Sequence, residues 1–439
     1  MRKVYSLLVV SFIVMILAGC NENYKWNTDN TSILEGKYEI RDKSLDLTKS
    51  QQTTIAKNIA LRFLYANSHT AGISVSMIDD EGNTISFAYG CAKLSAAVLE
   101  SGIIDYTKDP KDNCEIVLLP SHRMKLGSLT KTTVARTILD IDDDPSYDFS
   151  LDDPITKHLP DNILALGSFS GITVSQLLHH DGGLNEIDFS SGTVEEIISK
   201  ALAKGRLFKP GQMYQYNNLG YILLGQIIQH VTPSEHWETE VQKRINESIG
   251  PNSLIFPEAQ NVNWIQTPNT EWLKDVNGTL ISGDALLASG YDFSNTFVDI
   301  TAYNAGDIAN SAGSLMGSVP DITRWMKTVA TNDSALLTNE YFTNHVWEIS
   351  THTYVDSYMT HLNWNMGPGI GFDQDQNALF HLGLFPGYTC SSVYSKNEKV
   401  TLTACINGVG IVNELPYEML EGMYPYRTPF LPVATTASH

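Results

Sequence analysis

A serine and a lysine three residues apart, in the segment Ser128-Leu129-Thr130-Lys131, are the strongest candidates for chemistry in this sequence. On a helix, residues i and i+3 lie on the same face, so the lysine ammonium can reach the serine hydroxyl. A serine is a weak nucleophile until a neighbour takes its proton, and a lysine desolvated in a cleft has a lowered pKa that suits this task. The hydroxyl would also lie at a helix N-terminus, where backbone N–H groups favour developing negative charge. The pair predicts a serine nucleophile, although such pairs also arise by chance in a chain of this length.

Further motifs accompany this pair in a fixed order, and together they make the pattern specific. They are residues 122–132 (HRMKLGSLTKT), 151–155 (LDDPI) with 159–160 (LP), 177–184 (LLHHDGGL), 208–211 (FKPG), 216–225 (YNNLGYILLG), 312–315 (AGSL) with Asp321, and 381–388 (HLGLFPGY). In order and spacing the motifs resemble the serine β-lactamase and penicillin-recognising family, and within it the branch of class C β-lactamases, DD-peptidases and esterases. The resemblance extends from about residue 50 to about residue 410.

This resemblance implies both a fold and a set of catalytic residues. The implied fold is α/β (α+β) of the β-lactamase/transpeptidase type, with a mainly antiparallel sheet flanked by helices and a helical lobe. By resemblance, Ser128 attacks a carbonyl to form an acyl-enzyme, while Lys131 and Tyr216 share the proton transfers. A tyrosine phenol has an ordinary pKa near 10, so it needs the adjacent ammonium to act as a base at neutral pH.

The same resemblance assigns the substrate-binding groups. Asn218 would hold the amide or acyl side chain of the substrate, and His381 takes the place of the lysine in the Lys-Thr-Gly motif of the lactamases. Gly383 belongs to the same His-x-Gly motif, and the backbone N–H groups of Ser128 and Leu384 would form the oxyanion hole. No metal and no other cofactor is implied.

The sequence departs from the family pattern at two positions. It contains no Lys-[Ser/Thr]-Gly, so the fixed positive charge that favours a β-lactam carboxylate is missing from the third motif. A histidine there is neutral or charged near pH 7, so the charge of His381 is expected to depend on pH. Gly182 replaces the usual serine of the second signature and is expected to affect packing more than chemistry.

Two further matches to the motifs lie in the wrong order. Tyr65 begins a Tyr-x-Asn that precedes the nucleophile, and His180 begins a His-x-Gly that precedes Tyr216. Tyr65 is therefore interpreted as helix surface or core, and His180 as a packing or hydrogen-bonding residue near the site.

The leading functional hypothesis is a lipid-anchored serine hydrolase that acts through an acyl-enzyme on amide or ester bonds. Peptidoglycan or D-amino-acid peptides, as for a DD-carboxypeptidase, and small esters are the expected substrates. One alternative is a class C-like β-lactamase, and another is a non-catalytic penicillin-binding-like protein that binds cell-wall peptides. An α/β-hydrolase is excluded because no Gly-x-Ser-x-Gly elbow occurs, and the lack of His-Glu-x-x-His disfavours a zinc hydrolase.

The elements that position these residues follow from periodicity and turn signals. Helices are expected at 51–66, 128–139, 173–180, 193–204, 218–231, 235–248, 321–330 and 415–423, and strands at 72–77, 84–89, 369–373, 378–382, 388–395 and 400–407. Since strands come early and late, we expect one antiparallel sheet assembled from both ends of the chain, with the middle helices forming a second lobe. The site would lie in the crevice between them. The segment 91–120 is expected to be a polar excursion, and it and the irregular segment 250–310 are expected to shape the pocket.

Four cysteines beyond the leader predict disulfides, because an even count in an exported chain favours pairing. The segment 388–407 resembles a hairpin, and a turn centred on Asn397-Glu398 makes paired residue numbers sum to 795. Cys390 and Cys405 satisfy that sum and would face each other across the ladder, where a bond fits a non-hydrogen-bonded pair. Cys91 and Cys114 would close the polar excursion. Buried free thiols are the alternative.

The first residues predict export and a lipid anchor. A cationic start, an apolar run over 4–17 and the ending Leu-Ala-Gly-Cys resemble a lipoprotein signal peptide at 1–20, with Cys20 as the lipidated residue. The alternative is an ordinary cleaved signal.

The rest of the chain divides into a polar tether at 21–50, a hydrolase domain at 51–425 and a tail at 426–439. Asn21, rather than Asp, favours the outer membrane of a bacterial cell envelope, facing the periplasm.

Charge and composition limit the partners. The chain carries 29 Lys+Arg against 49 Asp+Glu, a formal charge of −20, which argues against nucleic acid because phosphate binding needs clustered cations. A small-molecule or peptide substrate, a membrane contact through the anchor, and a monomeric state are expected.

Replacing Cys20 with alanine should release the protein from membranes, because the acyl chains are its only expected anchor. The measurement is the partition of wild type and Cys20→Ala between membrane and soluble fractions, with globomycin treatment of wild type as a second arm. A Cys20→Ala protein that remains wholly with membranes would contradict the prediction.

Overall fold

The computed structural model describes residues 47–67, 70–105, 110–188, 192–256, 291–292, 298–299, 309–331, 364–373, 376–408 and 412–424. The predicted signal peptide 1–20 with Cys20, the tail 426–439, and most of the tether 21–50 and of the segment 250–310 lie outside the described residues. The first helix begins at Lys49, two residues before the predicted helix start at residue 51. Thr48 caps that helix through a reciprocal pair of hydrogen bonds with Gln51, which fixes where it starts.

The regular elements agree closely with those expected from periodicity. The helices are α1 (Lys49–Ala66), α2 (Ala96–Ser101), α3 (Pro110–Asn113), α4 (Thr130–Asp143), α5 (Asp161–Leu164), α6 (Val174–Leu178), α7 (Val194–Ala203), α8 (Asn218–Val231), α9 (Trp237–Ile249), α10 (Val319–Thr331) and α11 (Leu415–Met423). Short 3₁₀ turns are formed by Gly127–Leu129, Ile155–Lys157 and Asn310–Ala312. Among the described residues, none of these helices is both long and apolar enough to span a bilayer.

The strands are β1 (Thr70–Ile78), β2 (Thr84–Leu94), β3 (Cys114–Val117), β4 (Arg123–Lys125), β5 (Leu254–Ile255), β6 (Tyr291–Asp292), β7 (Val298–Asp299), β8 (Met316–Ser318), β9 (Trp364–Gly367), β10 (Ile370–Asp373), β11 (Ala378–Phe385), β12 (Tyr388–Ser395) and β13 (Val400–Gly408). Eight of them form one antiparallel sheet in the order β3-β2-β1-β13-β12-β11-β10-β9. The first and last thirds of the chain meet where β1 pairs with β13, with Ile73 opposite Ile406. The predicted sheet assembled from both ends of the chain is therefore confirmed.

The two faces of this sheet bury different layers of helices. Ile73, Val75, Leu402 and Ala404 face a core shared with α1 and α11. The opposite face carries Cys390 and the larger core, which is shared with α4, α8, α9 and α10. Alternation along each strand produces this division, since successive side chains point to opposite faces. The helices in the middle of the sequence thus form the lobe that packs on one face.

The hairpin register agrees with the expectation from its turn. Residue numbers in the β12–β13 pairs sum to 795, from Thr389 opposite Ile406 to Ser395 opposite Val400. Cys390 and Cys405 lie opposite each other with Cα atoms 4.1 Å apart, and they are joined in a disulfide. This short spacing is typical of a non-hydrogen-bonded pair.

The segment 91–120 is better structured than its polar sequence suggests. The prediction of an excursion is wrong at both ends, because β2 continues to Leu94 and Cys114 begins β3, the edge strand of the sheet. Cys91 and Cys114 are joined in the second disulfide, with Cα atoms 5.1 Å apart. The bond therefore links two neighbouring strands, and a small core around Val98 and Ile104 lies beside it.

Helix α10 packs on the central strands of the sheet, where the strands carry small hydroxyl side chains. Ser392 Oγ and Thr403 Oγ1, both buried, hydrogen-bond to each other at 2.7 Å and so satisfy each other in the interior. The buried Ser76 Oγ bonds at 2.9 Å to the Oγ of Ser86, which lies exposed on β2. Trp325 of α10 is fully buried, and its Nε1 donates to Thr132 Oγ1 of α4 at 2.8 Å. Helix α10 therefore packs between α4 and the sheet and contacts both.

Strand β11 lies directly against the 3₁₀ turn Gly127–Leu129, which we call the serine turn because it holds Ser128. Strand β10 pairs with residues 378–380 of β11, and no strand that the structure describes pairs with the rest of that edge, which faces the serine turn. A Cβ on Gly383 would lie 2.0 Å from the Leu126 carbonyl oxygen, and one on Gly127 would lie 2.4 Å from that of Leu384. Only residues without a side chain allow this approach.

Gly383→Ala should lower the free energy of unfolding by about 1–3 kcal/mol, because the added methyl overlaps a backbone that regular structure holds in place. Urea denaturation measures the loss. Gly220→Ala in α8 is the matched control, since the nearest atom to its Cβ would lie at 3.5 Å. Equal stability of the two variants would contradict the close fit of β11 on the serine turn.

Candidate active site

The serine turn leads directly into α4 and is held by hydrogen bonds from both sides. The helix predicted from residue 128 begins as a 3₁₀ turn and becomes α-helical at Thr130. Thr130 Oγ1 donates to the Gly127 carbonyl at 2.6 Å and accepts from the Leu315 N–H at 3.0 Å. The Leu126 N–H donates to the Leu315 carbonyl at 2.9 Å. The segment 312–315 therefore fixes the turn that carries Ser128.

Lys131 is completely buried, and its ammonium has three acceptors. Nζ lies 3.1 Å from Ser128 Oγ, 2.7 Å from Asn218 Oδ1 and 2.8 Å from the Ala312 carbonyl oxygen. Burial lowers the pKa of Lys131 to about 7, and the negative charge of Glu186 opposes that shift. Near neutral pH the amine is therefore present in both forms while in contact with the serine hydroxyl.

Tyr216 also contacts the catalytic candidate Ser128. Its hydroxyl hydrogen-bonds to Ser128, and the Lys131 ammonium lies 5.0 Å from the centre of its ring. Burial raises the pKa of Tyr216 well above its ordinary value, so the phenol stays protonated. Tyr216 can therefore share in proton transfer only as a protonated hydroxyl, which donates its own proton as it accepts another.

His180 packs and hydrogen-bonds beside the site, as predicted, and the structure shows that it does so against Tyr216. The two rings stack with centroids 4.4 Å apart, and His180 Nδ1 accepts the Asn217 N–H at 3.1 Å. Burial and the nearby Lys131 charge lower the pKa of His180 far below its ordinary value. The imidazole is neutral. By contrast, Tyr65 lies exposed on α1, which packs on the other face of the sheet.

His381 is also neutral, which corrects the expected pH-dependent charge. Its Nδ1 lies 2.7 Å from the Leu382 carbonyl oxygen, and a carbonyl only accepts, so the proton is on Nδ1. Nε2 is then an acceptor, buried and without a partner among the described residues. Burial and the Lys131 charge lower the pKa of His381 to about 3. The sequence gives the residue type at position 381, but the burial that lowers the pKa of the ring is a property of the folded structure.

The backbone of Leu384 is directed at the serine turn. Phe385 and Tyr388 flank a two-residue turn and pair with each other, so the alternation of an antiparallel ladder points the Leu384 N–H away from β12. A Cβ on Gly127 would lie 2.7 Å from the Leu384 nitrogen. The N–H groups of Ser128 and Leu384, the two predicted oxyanion donors, thus belong to segments in direct contact.

Glu186 is the site residue that sequence reasoning missed. Its carboxylate accepts the Asn218 N–H at 3.0 Å, the Asn218 Nδ2 at 3.0 Å and the Ile187 N–H at 2.7 Å. It follows the LLHHDGGL motif by two residues, but one acidic residue among 49 gave no signal. Within the described part of the chain no cluster of His, Cys, Asp and Glu suits a metal ion.

Comparisons with known proteins agree with this geometry. The sequence profile of the Beta-lactamase family matches residues 115–417. Protein flp of Staphylococcus aureus is 24% identical over 216 residues, which is 47% of this chain and 39% of that protein. The chain thus spans well under half the length of this curated relative.

Solved structures share the fold at low sequence identity. The octameric penicillin-binding protein homologue from Pyrococcus abyssi superposes with a TM-score of 0.64 and 21% identity, over 83% of this chain and 76% of that one. D-amino acid amidase from Ochrobactrum anthropi SV3 gives a TM-score of 0.64 and 21% identity, over 86% and 99%. At this identity the likeness establishes the fold, and the predicted β-lactamase/transpeptidase-like architecture is confirmed.

Acylation of Ser128 should accelerate as pH rises through about 7. The amine of Lys131 must be neutral to accept a proton, and it is neutral above the pKa of about 7. The pKa of His381, about 3, lies below that range, while burial raises the pKa of Tyr216 and lowers that of His180. Stopped-flow release of p-nitrophenol between pH 5.5 and 8.5 measures the dependence. A rate that falls with rising pH would contradict the assignment of Lys131 as the base.

Proposed function

The chain belongs to the Beta-lactamase family, and we propose that it is a serine hydrolase that cleaves amide or ester bonds through an acyl-enzyme at Ser128. One observation carries the proposal: a buried amine whose pKa is lowered to about 7 lies 3.1 Å from the serine hydroxyl. A base with a pKa near the working pH combines the correct protonation state with enough basicity to take the proton.

Acylation then follows from the contacts of the serine. Ser128 Oγ attacks the carbonyl carbon of the substrate while its proton passes to the neutral Lys131 amine. The negative charge on the carbonyl oxygen is stabilised by the N–H groups of Ser128 and Leu384. Tyr216 is protonated and bonded to Ser128, so it relays the proton from Lys131 to the leaving amine or alcohol. In deacylation, water attacks the acyl carbonyl carbon and gives a proton to Tyr216, Tyr216 passes its own to Lys131, and Lys131 protonates Ser128 Oγ as the ester bond to the serine breaks.

The neutral protonation state of His381 supports a preference for amide or ester substrates over β-lactams. A β-lactam carboxylate favours a fixed positive charge at the third motif, whereas His381 brings a neutral ring with an acceptor nitrogen. Such a ring suits an N–H or O–H donor of the substrate. We therefore propose amides of D-amino acids, D-amino-acid peptides of the DD-carboxypeptidase kind, or small esters as substrates. The name D-amino acid amidase of a structural neighbour supports the first class.

An envelope location is part of the proposal. The two disulfides, Cys91–Cys114 and Cys390–Cys405, support an oxidising compartment, because such bonds are rare in a reducing cytosol. A lipid on Cys20 would hold the enzyme at the outer membrane, facing the periplasm.

A comparison of kcat/KM for p-nitrophenyl butyrate, a D-amino acid amide and nitrocefin tests the function. We expect turnover of the ester or the amide and little of nitrocefin. Ser128→Ala should lower the rate on the order of 10⁴-fold or more. Ser76→Ala is the matched control, because it removes a buried serine of the sheet, outside the site.

Two outcomes would contradict parts of this proposal. Full turnover by Ser128→Ala would mean that another residue attacks the substrate. Fast turnover of nitrocefin, with the ester and the amide untouched, would favour the class C-like β-lactamase. A β-lactamase that already turns over nitrocefin fast should gain no nitrocefin turnover from His381→Lys. If instead the missing positive charge at the third motif limits β-lactam binding, His381→Lys should improve nitrocefin turnover.

A further inference from the structure

We propose that Glu186 is a positioning residue that fixes the side-chain amide of Asn218 in one orientation and thereby holds the Lys131 amine against Ser128. The proposal rests on the proposed function, because it assigns a role within the same catalytic unit. Its basis is a continuous chain of contacts. Glu186 Oε2 accepts Asn218 Nδ2 at 3.0 Å, Asn218 Oδ1 accepts Lys131 Nζ at 2.7 Å, and Nζ lies 3.1 Å from Ser128 Oγ.

The orientation of the amide follows from the charges at its two ends. An ammonium only donates hydrogen bonds and an ionised carboxylate only accepts them. Turning the Asn218 amide over would place its NH₂ against the Lys131 ammonium and its oxygen against Glu186. Both contacts would then be repulsive. The carboxylate therefore selects the orientation in which Asn218 is an acceptor for Lys131, and without it the amide could turn.

Glu186 is itself held in place by the start of helix α8. Both of its oxygens lie within reach of the Asn218 N–H, at 3.0 and 3.3 Å, and Oε1 accepts the Ile187 N–H at 2.7 Å. The N-terminus of a helix favours an anion because its first N–H groups have no partner within the helix. The backbone thus fixes the carboxylate, and the carboxylate fixes the side chain of the first residue of α8.

The second contribution of Glu186 is its charge. In the part of the chain that the structure describes, the other titratable side chains that face Lys131 are those of Tyr216, Tyr221, His180 and His381, and all of them are neutral near pH 7. Burial raises the pKa of Glu186, whereas the N–H groups of Asn218 and Ile187 and the Lys131 charge favour the ionised carboxylate. In that form Glu186 supplies the negative charge that opposes the effect of burial on the lysine. It therefore keeps the Lys131 pKa near neutrality rather than well below it.

The test compares Glu186→Gln, Glu186→Asp and wild type in single-turnover acylation by p-nitrophenyl butyrate as a function of pH. In Glu186→Gln the rate should fall about 10²-fold, because the amine is no longer held against the serine. The pH at which acylation rises should also move about one unit lower, since the Lys131 pKa drops when the carboxylate is neutralised. Glu186→Asp keeps the charge and should retain the wild-type pH dependence with a smaller loss of rate.

Glu240→Gln is the matched control. Glu240 is also a buried carboxylate with two partners, accepting from Ser234 Oγ at 2.9 Å and from Arg244 Nη1 at 2.6 Å, but it lies on α9 away from the serine. This variant should leave the pH dependence unchanged even if it lowers stability. A purely structural role for Glu186 would likewise lower stability without moving the pH dependence.

The failure of the inference and that of the proposed function are distinguishable. If wild type is acylated and Glu186→Gln keeps its rate and pH dependence, the positioning role is overturned. If no ester or amide acylates wild type, the proposed function is overturned, and ¹³Cε NMR titration of lysine-labelled full chain tests the inference separately. The Lys131 resonance, identified by its loss in Lys131→Ala, should titrate at lower pH in Glu186→Gln. Equal titration in the two proteins would overturn the inference.

Discussion

The burial of the Lys131 amine is the constraint on which the rest of the structure depends. An ammonium is stable in the interior only when each of its protons has an acceptor, and here a hydroxyl, a side-chain amide and a backbone carbonyl supply three. The acceptors come from the serine turn, from Asn218 at the start of α8 and from Ala312 in a 3₁₀ turn. The same burial that requires these partners lowers the lysine pKa toward neutrality. Stability and reactivity are therefore set by the same contacts.

The fold brings these segments together through the sheet. Because β1 and β13 pair in its centre, strands from both ends of the chain form one surface, and the helices from the middle pack on one face. Strand β11 contacts the serine turn along the part of its edge beyond residues 378–380, where Gly127 and Gly383 allow backbone to approach backbone. That approach places the Leu384 N–H near Ser128 and His381 within the electrostatic range of Lys131. The site is thus a junction of segments that lie far apart in sequence.

Local pattern was enough to predict most of the fold. Helical spacing over 218–231 and the strand-like segments 388–395 and 400–407 correspond to elements with the same or nearly the same bounds. The turn between the latter two even determined their register, and so the pairing of Cys390 with Cys405. Strand β3 was missed, because four residues at the edge of a sheet carry too short an alternation to be recognised. Its place depends on pairing with β2, which is a tertiary contact.

For the site, the sequence by itself determined the identities and order of Ser128, Lys131, Tyr216 and His381, because motif spacing is a property of the chain. The tertiary structure alone decided their protonation. Tyr216 stays a phenol, and the buried His381 ring is neutral, although the residue type allowed either charge state near pH 7. Glu186 likewise became visible only through the contacts that it makes with Asn218. The physical reason is that a pKa depends on desolvation and on nearby charges, and both are set by residues distant in sequence that folding brings into contact.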